Sequence, residues 1–177
     1  GVQSTNPDTV KEIHRTMDFE KVSENVRAVQ KNGNVHQHLD LIAGLPYENL
    51  NSFHRSFNDV YALHPEQLQL GFLKVLKGSY MQEHQAEYGL VVKNIPPYEV
   101  LYTDWLPYDD VLRLKGIEEM VEVYYNSGQF TQTMPELEKY FKDPFIMYAD
   151  MATYYDKNGY FKINHKRAAR YEILLEF

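Results

Sequence analysis

The chain has 177 residues, of which 44% are hydrophobic and 14% aromatic, with a formal net charge of -7 at pH 7 and no cysteine. This length allows one compact core or two small ones, and the missing cysteines exclude disulfides, thiolate nucleophiles, zinc ribbons and an iron–sulfur cluster ligated from within the chain. The acidic balance argues against a nucleic-acid partner, and since no segment has the pattern of a membrane helix or signal peptide, we expect a cytoplasmic protein without a membrane partner.

Residues 1–73 predict alternating helices and strands. The sequence opens at Gly1 without an initiator Met or a polar lead-in, as the middle of a longer protein would. The order helix, helix, strand, helix, strand is typical of parallel α/β units. In chain order, the predicted elements are a helix opened by Asn6-Pro7-Asp8, a helix over 19–31, a strand over 35–43, a helix capped by Asn51 or Ser52 that ends at Pro65, and a strand over 66–73.

After residue 74 the pattern changes to a connector and then to a mostly helical region, so we predict domains over 1–80 and 81–177. Caps and stop signals define these later elements. They are a short strand over 98–103, a helix capped by Asp109 or Asp110 that ends at 126–128, a helix with a capping box of Thr133 and Glu136, a helix from Asp143-Pro144 to Gly159, and an amphipathic segment over 165–177 with Tyr171, Leu174 and Leu175 inward.

One acidic residue interrupts the most apolar strand. Asp40 stands within Leu39-Asp40-Leu41-Ile42-Ala43, a run that predicts a parallel strand covered on both faces. A buried aspartate must be paired or hydrogen-bonded, and a ligand with hydroxyl or amino groups is one way to achieve this. A structural role is the alternative, in which Asp40 caps a loop or pairs with a basic side chain such as Arg15.

Three motifs of residues 1–80 resemble the second half of a radical S-adenosylmethionine (SAM) enzyme core. They are Gly1-Val2-Gln3-Ser4, Arg15 twelve positions after Gln3, and Leu39-Asp40-Leu41-Ile42 followed by Gly44-Leu45-Pro46. The pattern is most similar to that of oxygen-independent coproporphyrinogen III oxidase and of the methylthiotransferase-like and cobalamin-binding branches. Residues 98–101 and 124–130 are similar to a helical extension of uncharacterised function found on cobalamin-binding radical SAM proteins.

The resemblance implies an α/β fold, with the second half of a partial (β/α) radical SAM barrel followed by a mostly α-helical carboxyl-terminal region. It also implies a parent enzyme that is an iron–sulfur oxidoreductase, uses SAM and a 4Fe-4S cluster, and belongs to a branch that includes cobalamin-binding proteins. The substrate is not readable from these residues.

Carried over to this sequence, the resemblance implies a SAM site. Gln3 and Arg15 would bond the methionine or ribose part of SAM, with Arg15 suited to its carboxylate because a guanidinium binds carboxylates bidentately. Asp40 would accept from a hydroxyl or ammonium group. Ile42 and the turn Gly44-Leu45-Pro46 would pack on adenine.

The sequence departs from the family in one respect. Radical SAM enzymes hold their cluster with three cysteines spaced C-x3-C-x2-C, and this sequence has none. We therefore expect a fragment that does not catalyse alone and that exposes a barrel edge through which it could dimerise.

Other interpretations stay open at this point. His36 and His38 share a strand face at a spacing that metals use, but no third ligand is evident, so a polar strand entrance is the simpler interpretation. The main functional alternative is a non-catalytic relative that binds a partner or a small molecule. An unrelated α/β protein is the third interpretation, and it predicts that Gln3, Arg15 and Asp40 lie far apart.

Overall fold

A computed structural model describes residues 1–177 and has a mixed α/β fold, so the predicted α/β class is confirmed. No helix combines the length and the apolar composition that crossing a membrane requires. The elements are α1 (Pro7–Glu12), α2 (Phe19–Gln30), β1 (His38–Ala43), α3 (Leu50–Tyr61), β2 (Gln67–Phe72), α4 (Tyr80–Glu83), β3 (Val91–Val92), β4 (Val100–Tyr102), α5 (Tyr108–Val121) with a π-helical turn at Glu122–Asn126, α6 (Thr133–Glu138), α7 (Pro144–Lys157), a 3₁₀ turn at Tyr160–Lys162 and α8 (Arg167–Glu176).

β1 lies between two parallel neighbours. β2 pairs with it in parallel, with Leu41 opposite Leu70, and Gln3 forms a parallel bridge to Leu41 from the other side. Helices connect these three segments, as expected of parallel α/β units. The barrel edge that earlier strands would cover lies on the Gln3 side of this sheet, where no further strand pairs, and dimerisation through that edge stays a prediction.

The two faces of β1 differ in burial. Leu39, Leu41 and Ala43 are buried, whereas Asp40 and Ile42 on the opposite face are only partly buried. The prediction of a strand covered on both faces is therefore wrong, because nothing in the chain fully covers the second face. The predicted start at residue 35 is also too early, since Val35 is 51% exposed and lies outside the ladder.

Local capping signals predicted some helix starts and misplaced others. Asn6 caps α1 by accepting from the Asp8 N–H, and Asp143 caps α7 by accepting from the Ile146 N–H at 3.0 Å, as predicted. α3 instead starts from Asn49, whose side chain accepts from the Ser52 N–H at 2.9 Å. Ser52 Oγ in turn accepts from the Asn49 N–H at 2.9 Å, which completes a capping box, so the cap lies two residues before the predicted Asn51 cap.

Three later predictions were wrong in detail. Asp109 and Asp110 lie in the first turn of α5, where negative charge is favourable, instead of capping it. Thr133 is already the first residue of α6, which has no side-chain cap bond. In α8, Leu175 is 88% exposed and Ile173 is the buried residue.

The chain divides into two compact units, Gly1–Leu112 and Arg113–Phe177. The first unit builds its core around β1, β2 and the buried face of α3, and the second around α7 with the buried side chains of α5. The sequence analysis places a domain boundary at residue 80. The compact units do not test that boundary, so it stays a prediction. The core side chains include Leu41, Phe53, Phe57 and Leu68 in the first unit and Ile117, Tyr124, Met147 and Tyr148 in the second.

Gly44 joins β1 to the following turn where no larger residue fits. Its φ of 88° lies in the left-handed region, and a Cβ built on it would stand 2.8 Å from Cγ1 of Val100. Val100 is fully buried in β4, and its N–H donates to the Leu73 carbonyl at 2.8 Å, so it cannot move aside easily. Glycine therefore lets β4 pack over the end of β1.

Replacing Gly44 tests this close approach. We expect Gly44→Ala to lower the free energy of unfolding by about 3 kcal/mol, because backbone strain and a clash with Val100 combine. Gly33→Ala is the matched control, since Gly33 also has a positive φ of 61° but faces open space; it should cost about 1 kcal/mol from strain alone. Urea denaturation of both variants measures the difference, and equal losses would contradict the packing argument.

Candidate functional site

Gln3 is held against β1 by two backbone hydrogen bonds. Its N–H donates to the Asp40 carbonyl at 2.8 Å, and its carbonyl accepts from the Ile42 N–H at 2.9 Å. The φ of Gln3 is 69°, a left-handed value that costs a non-glycine residue about 1 to 3 kcal/mol and persists only where the surroundings impose it. The pairing thus places Gln3 opposite Leu41, between the backbones of Asp40 and Ile42.

The Asp40 carboxylate has a partner within the chain. Its Oδ1 accepts from the Val2 N–H at 3.1 Å, and the side chain is 32% exposed. An acid is therefore tolerated in this apolar strand because its face is open and a backbone amide bonds it. This contact agrees with the structural alternative for Asp40, although Arg15 is not the partner.

Arg15 is positioned by the end of α1. His14 takes a left-handed φ of 56°, its N–H donates to the Lys11 carbonyl at 3.1 Å, and the Arg15 N–H donates to the Val10 carbonyl at 3.0 Å. This is a Schellman motif with histidine in the position that glycine usually takes. The turn directs Arg15 to the start of the chain, where Nη2 donates to the Gly1 carbonyl at 3.0 Å.

Arg15 and Asp40 therefore both bond the backbone of residues 1–2, and the backbone of Gln3 continues this segment along β1. Arg15 also lines an open pocket of about 670 Å³ together with Lys11 and His14. Two cationic side chains and an imidazole beside Asp18 give this pocket the donors that a carboxylate or phosphate would need.

The turn after β1 has a different environment. Gly44, Leu45 and Pro46 are all buried, Gly44 lies against Val100, and the Pro46 carbonyl accepts from Thr9 Oγ1 at 2.8 Å. All three residues of the turn are therefore covered by other parts of the chain, and their packing on adenine stays a prediction. Ile42 keeps a partly exposed face beside Asp40.

No group of three or more histidine, cysteine, aspartate or glutamate side chains is placed to hold a metal ion. The rings of His36 and His38 contact each other edge-on, with centroids 4.7 Å apart. They lie at the start of β1, where both residues are exposed.

Glu48 is a buried acid that the motif analysis did not single out. It is 1% exposed, and its Oε1 accepts from Ser4 Oγ at 2.7 Å and from Ser56 Oγ at 3.2 Å, whereas Oε2 has no hydrogen-bond partner. Burial raises the pKa of Glu48 to about 7, against weaker lowering by the two hydroxyls and by Arg55. The sequence feature that could have indicated this buried acid is its position four residues after Gly44, in a turn that is otherwise apolar.

Further hydrogen bonds extend from Glu48 into a network. Ser56 Oγ also accepts from the Thr5 N–H at 3.0 Å, and Thr5 Oγ1 donates to Asp59 at 2.7 Å. Asn6 Nδ2 donates to the Tyr47 carbonyl at 2.9 Å. The network joins the segment after Gln3 to the turn after β1 and to α3, so it fixes the residues on both sides of the candidate site.

Comparison with known proteins gives one family. A family model described as "Protein of unknown function (DUF4080)" matches residues 86–177. No curated protein matches the chain. Gln3, Arg15, Asp40 and Glu48 lie before the matched residues, whereas Val100, which covers Gly44, lies within them.

The buried Glu48 predicts a pH-dependent stability. With the folded pKa raised from 4.5 to about 7, the folded state keeps a proton that the unfolded state has lost, so the free energy of unfolding falls as pH rises through this window. The fall should be about 3 kcal/mol between pH 4.5 and pH 8. Glu48→Gln should remove this component, whereas the exposed control Glu20→Gln should keep it. Urea denaturation across pH checks this, and an unchanged slope in Glu48→Gln would contradict the burial argument.

Proposed function

We propose, since the chain belongs to the DUF4080 family, that it is the SAM-binding second half of a radical SAM enzyme core followed by the DUF4080 segment. The observation that carries the proposal is that Arg15 and Asp40 both bond the backbone of residues 1–2, directly before Gln3. If the chain were an unrelated α/β protein, nothing would require these three residues to lie in the same region.

Two further observations support it. The parallel segments at Gln3, β1 and β2, joined by helices, have the order of elements that half of a (β/α) barrel requires. The family match covers the segment whose residues 98–101 and 124–130 resemble the helical extension of cobalamin-binding radical SAM proteins.

The polar residues fit the methionine end of SAM. The guanidinium of Arg15 has five N–H donors, and only one Nη2 bond goes to the Gly1 carbonyl, so donors remain for a bidentate bond to a carboxylate. The half-exposed Asp40 can accept from an ammonium or hydroxyl group through Oδ2. SAM would supply the radical chemistry, and this chain would bind and orient it.

The adenine end fits only in part. Ile42 offers an apolar surface beside Asp40, but Gly44, Leu45 and Pro46 lie under β4 and neighbouring residues. The proposal therefore assigns adenine to Ile42, and contact with the turn would require displacement of Val100.

This chain does not fit an iron–sulfur cluster. It has no cysteine, and no group of three potential ligands lies together. Any 4Fe-4S cluster would be held by residues outside this sequence.

One observation favours a second candidate, a non-catalytic module that binds a partner or a small molecule. Arg15 and Asp40 already bond the backbone of residues 1–2, as they would in a purely structural role. SAM binding tests the proposed site, and iron content then distinguishes a radical enzyme from a non-catalytic module.

Calorimetric titration of the chain with SAM should show saturable binding with a Kd below about 1 mM. Arg15→Lys should weaken it about tenfold, because lysine cannot form the bidentate bond. Arg27→Lys on the exposed side of α2 is the matched control and should bind as the unaltered chain does. If the chain shows no saturable heat, or Arg15→Lys has no effect, the SAM site is refuted.

A separate experiment tests whether the protein is a radical enzyme. The polypeptide is expressed anaerobically from its natural reading frame, and its iron content is measured. A 4Fe-4S cluster, with its visible absorption lost on mutation of cysteines outside the present sequence, is the expected result. A polypeptide that binds SAM but no iron after reconstitution would leave a SAM-binding module without radical chemistry.

A further inference from the structure

Six aromatic side chains of the unit Gly1–Leu112 form a continuous series of ring contacts. They come from the end of α1, the turn after β1, the segment around α4 and the residues after β4. We call them the aromatic wall: His14, Tyr47, Tyr80, His84, Tyr88 and Trp105.

The first part of the wall is a stack. The rings of Tyr80 and His84 are stacked with centroids 4.0 Å apart, and His14 meets Tyr80 edge-on at 4.8 Å. His84 in turn faces Tyr88 at 6.0 Å, which continues the stack by one more ring. These separations are those of favourable aromatic pairs.

Trp105 continues the wall to the turn after β1. Its ring lies 6.1 Å from Tyr88 and 4.7 Å from Tyr47. Tyr88 is 1% exposed and forms the backing of the wall, whereas Tyr47 is 43% exposed. Tyr80, His84 and Trp105 are each partly exposed, so the wall offers ring surface to solvent.

A carboxylate stands at the polar edge of the wall. Glu12 Oε1 accepts a short hydrogen bond from the Tyr88 hydroxyl and lies 3.5 Å from the Tyr80 hydroxyl. Burial and the bond to Glu12 raise the pKa of Tyr88, so its hydroxyl stays a donor. Neither bond uses Oε2, and the partly buried Glu12 can still accept from a ligand.

Along the chain, parts of the wall come after the carboxyl ends of the parallel strands. Ligands bind at this end of open α/β sheets. Tyr47 lies four residues after Ala43, the last residue of β1, and α4 follows β2. Tyr47 and His14 also take left-handed φ values of 60° and 56°, and such strain in non-glycine residues is concentrated at functional sites.

We propose that the aromatic wall binds a planar aromatic molecule that carries a positive charge. Ring faces attract flat rings and cations, and a carboxylate beside them selects the cation over a neutral or anionic ring of the same shape. This site uses none of Gln3, Arg15 and Asp40, so the proposal does not depend on SAM binding.

Trp105 is the single tryptophan of the chain, so its fluorescence reports on this site directly. Titration with N-methylquinolinium should quench it in a saturable manner, with matching heats by calorimetry. Quinoline, its neutral analogue at pH 8, and naphthalene-1-sulfonate, an anionic analogue, should bind more weakly by about fivefold or more. Quenching that is linear in concentration, or equal affinity for the three probes, would overturn the proposal.

Two variants test the residues, with thermal unfolding as a check on each fold. Tyr47→Leu removes an exposed ring and should weaken N-methylquinolinium binding about fivefold, whereas Glu12→Gln should remove the preference over quinoline. Tyr140→Leu, at a tyrosine that is 86% exposed and outside the wall, is the matched control and should change neither. If Tyr47→Leu folds and binds as the unaltered chain does, the wall is not the site. Because the probes are not SAM, failure here would leave the calorimetric SAM result unaffected.

Discussion

The arrangement of the first compact unit depends on the buried carboxyl group of Glu48. Two hydroxyls, from Ser4 and Ser56, bond one of its oxygens, and the other oxygen has no hydrogen-bond partner. Burying such a group is costly unless it is bonded or protonated, and the raised pKa shows that protonation provides part of the compensation. Together with the bonds of Thr5 and Asn6, these bonds attach the segment after Gln3 to α3 and to the turn after β1.

Signals that act within a few residues could be read from the sequence. Asn6 before Pro7 and Asp143 before Pro144 cap α1 and α7 as predicted, because an N-cap bond spans only two or three residues. Asn49 was missed in favour of Asn51, since both precede an amphipathic stretch and only the reciprocal bond with Ser52 decides between them. The exposure of Leu175 likewise depends on which elements cover α8, and this is not a local property.

The two acids of the candidate site show why burial was harder to predict than secondary structure. Asp40 stands in the more apolar run, yet it is partly exposed, because its face of β1 has no layer over it. Glu48 stands in a turn, yet it is buried, because α3 and the segment after Gln3 close over it. In both cases the deciding neighbours are distant in sequence. The positions of Arg15 and Asp40 beside residues 1–2 likewise result from contacts between segments distant in sequence, and a role of Gln3, Arg15 and Asp40 in binding SAM stays a prediction.

The backbone at His14 connects the two proposed sites. Its left-handed φ ends α1 in a Schellman motif, so that Arg15 turns towards the Gly1 carbonyl while Glu12, still in the helix, bonds the Tyr88 hydroxyl. A continued helix would place residues 12 and 15 one above the other on the same face, where their opposite charges would pair. The turn separates them instead, so that under the two proposals Arg15 would bind an anion and Glu12 would bind a cation. Two neighbouring sites of opposite preference can thus arise from one strained residue between them.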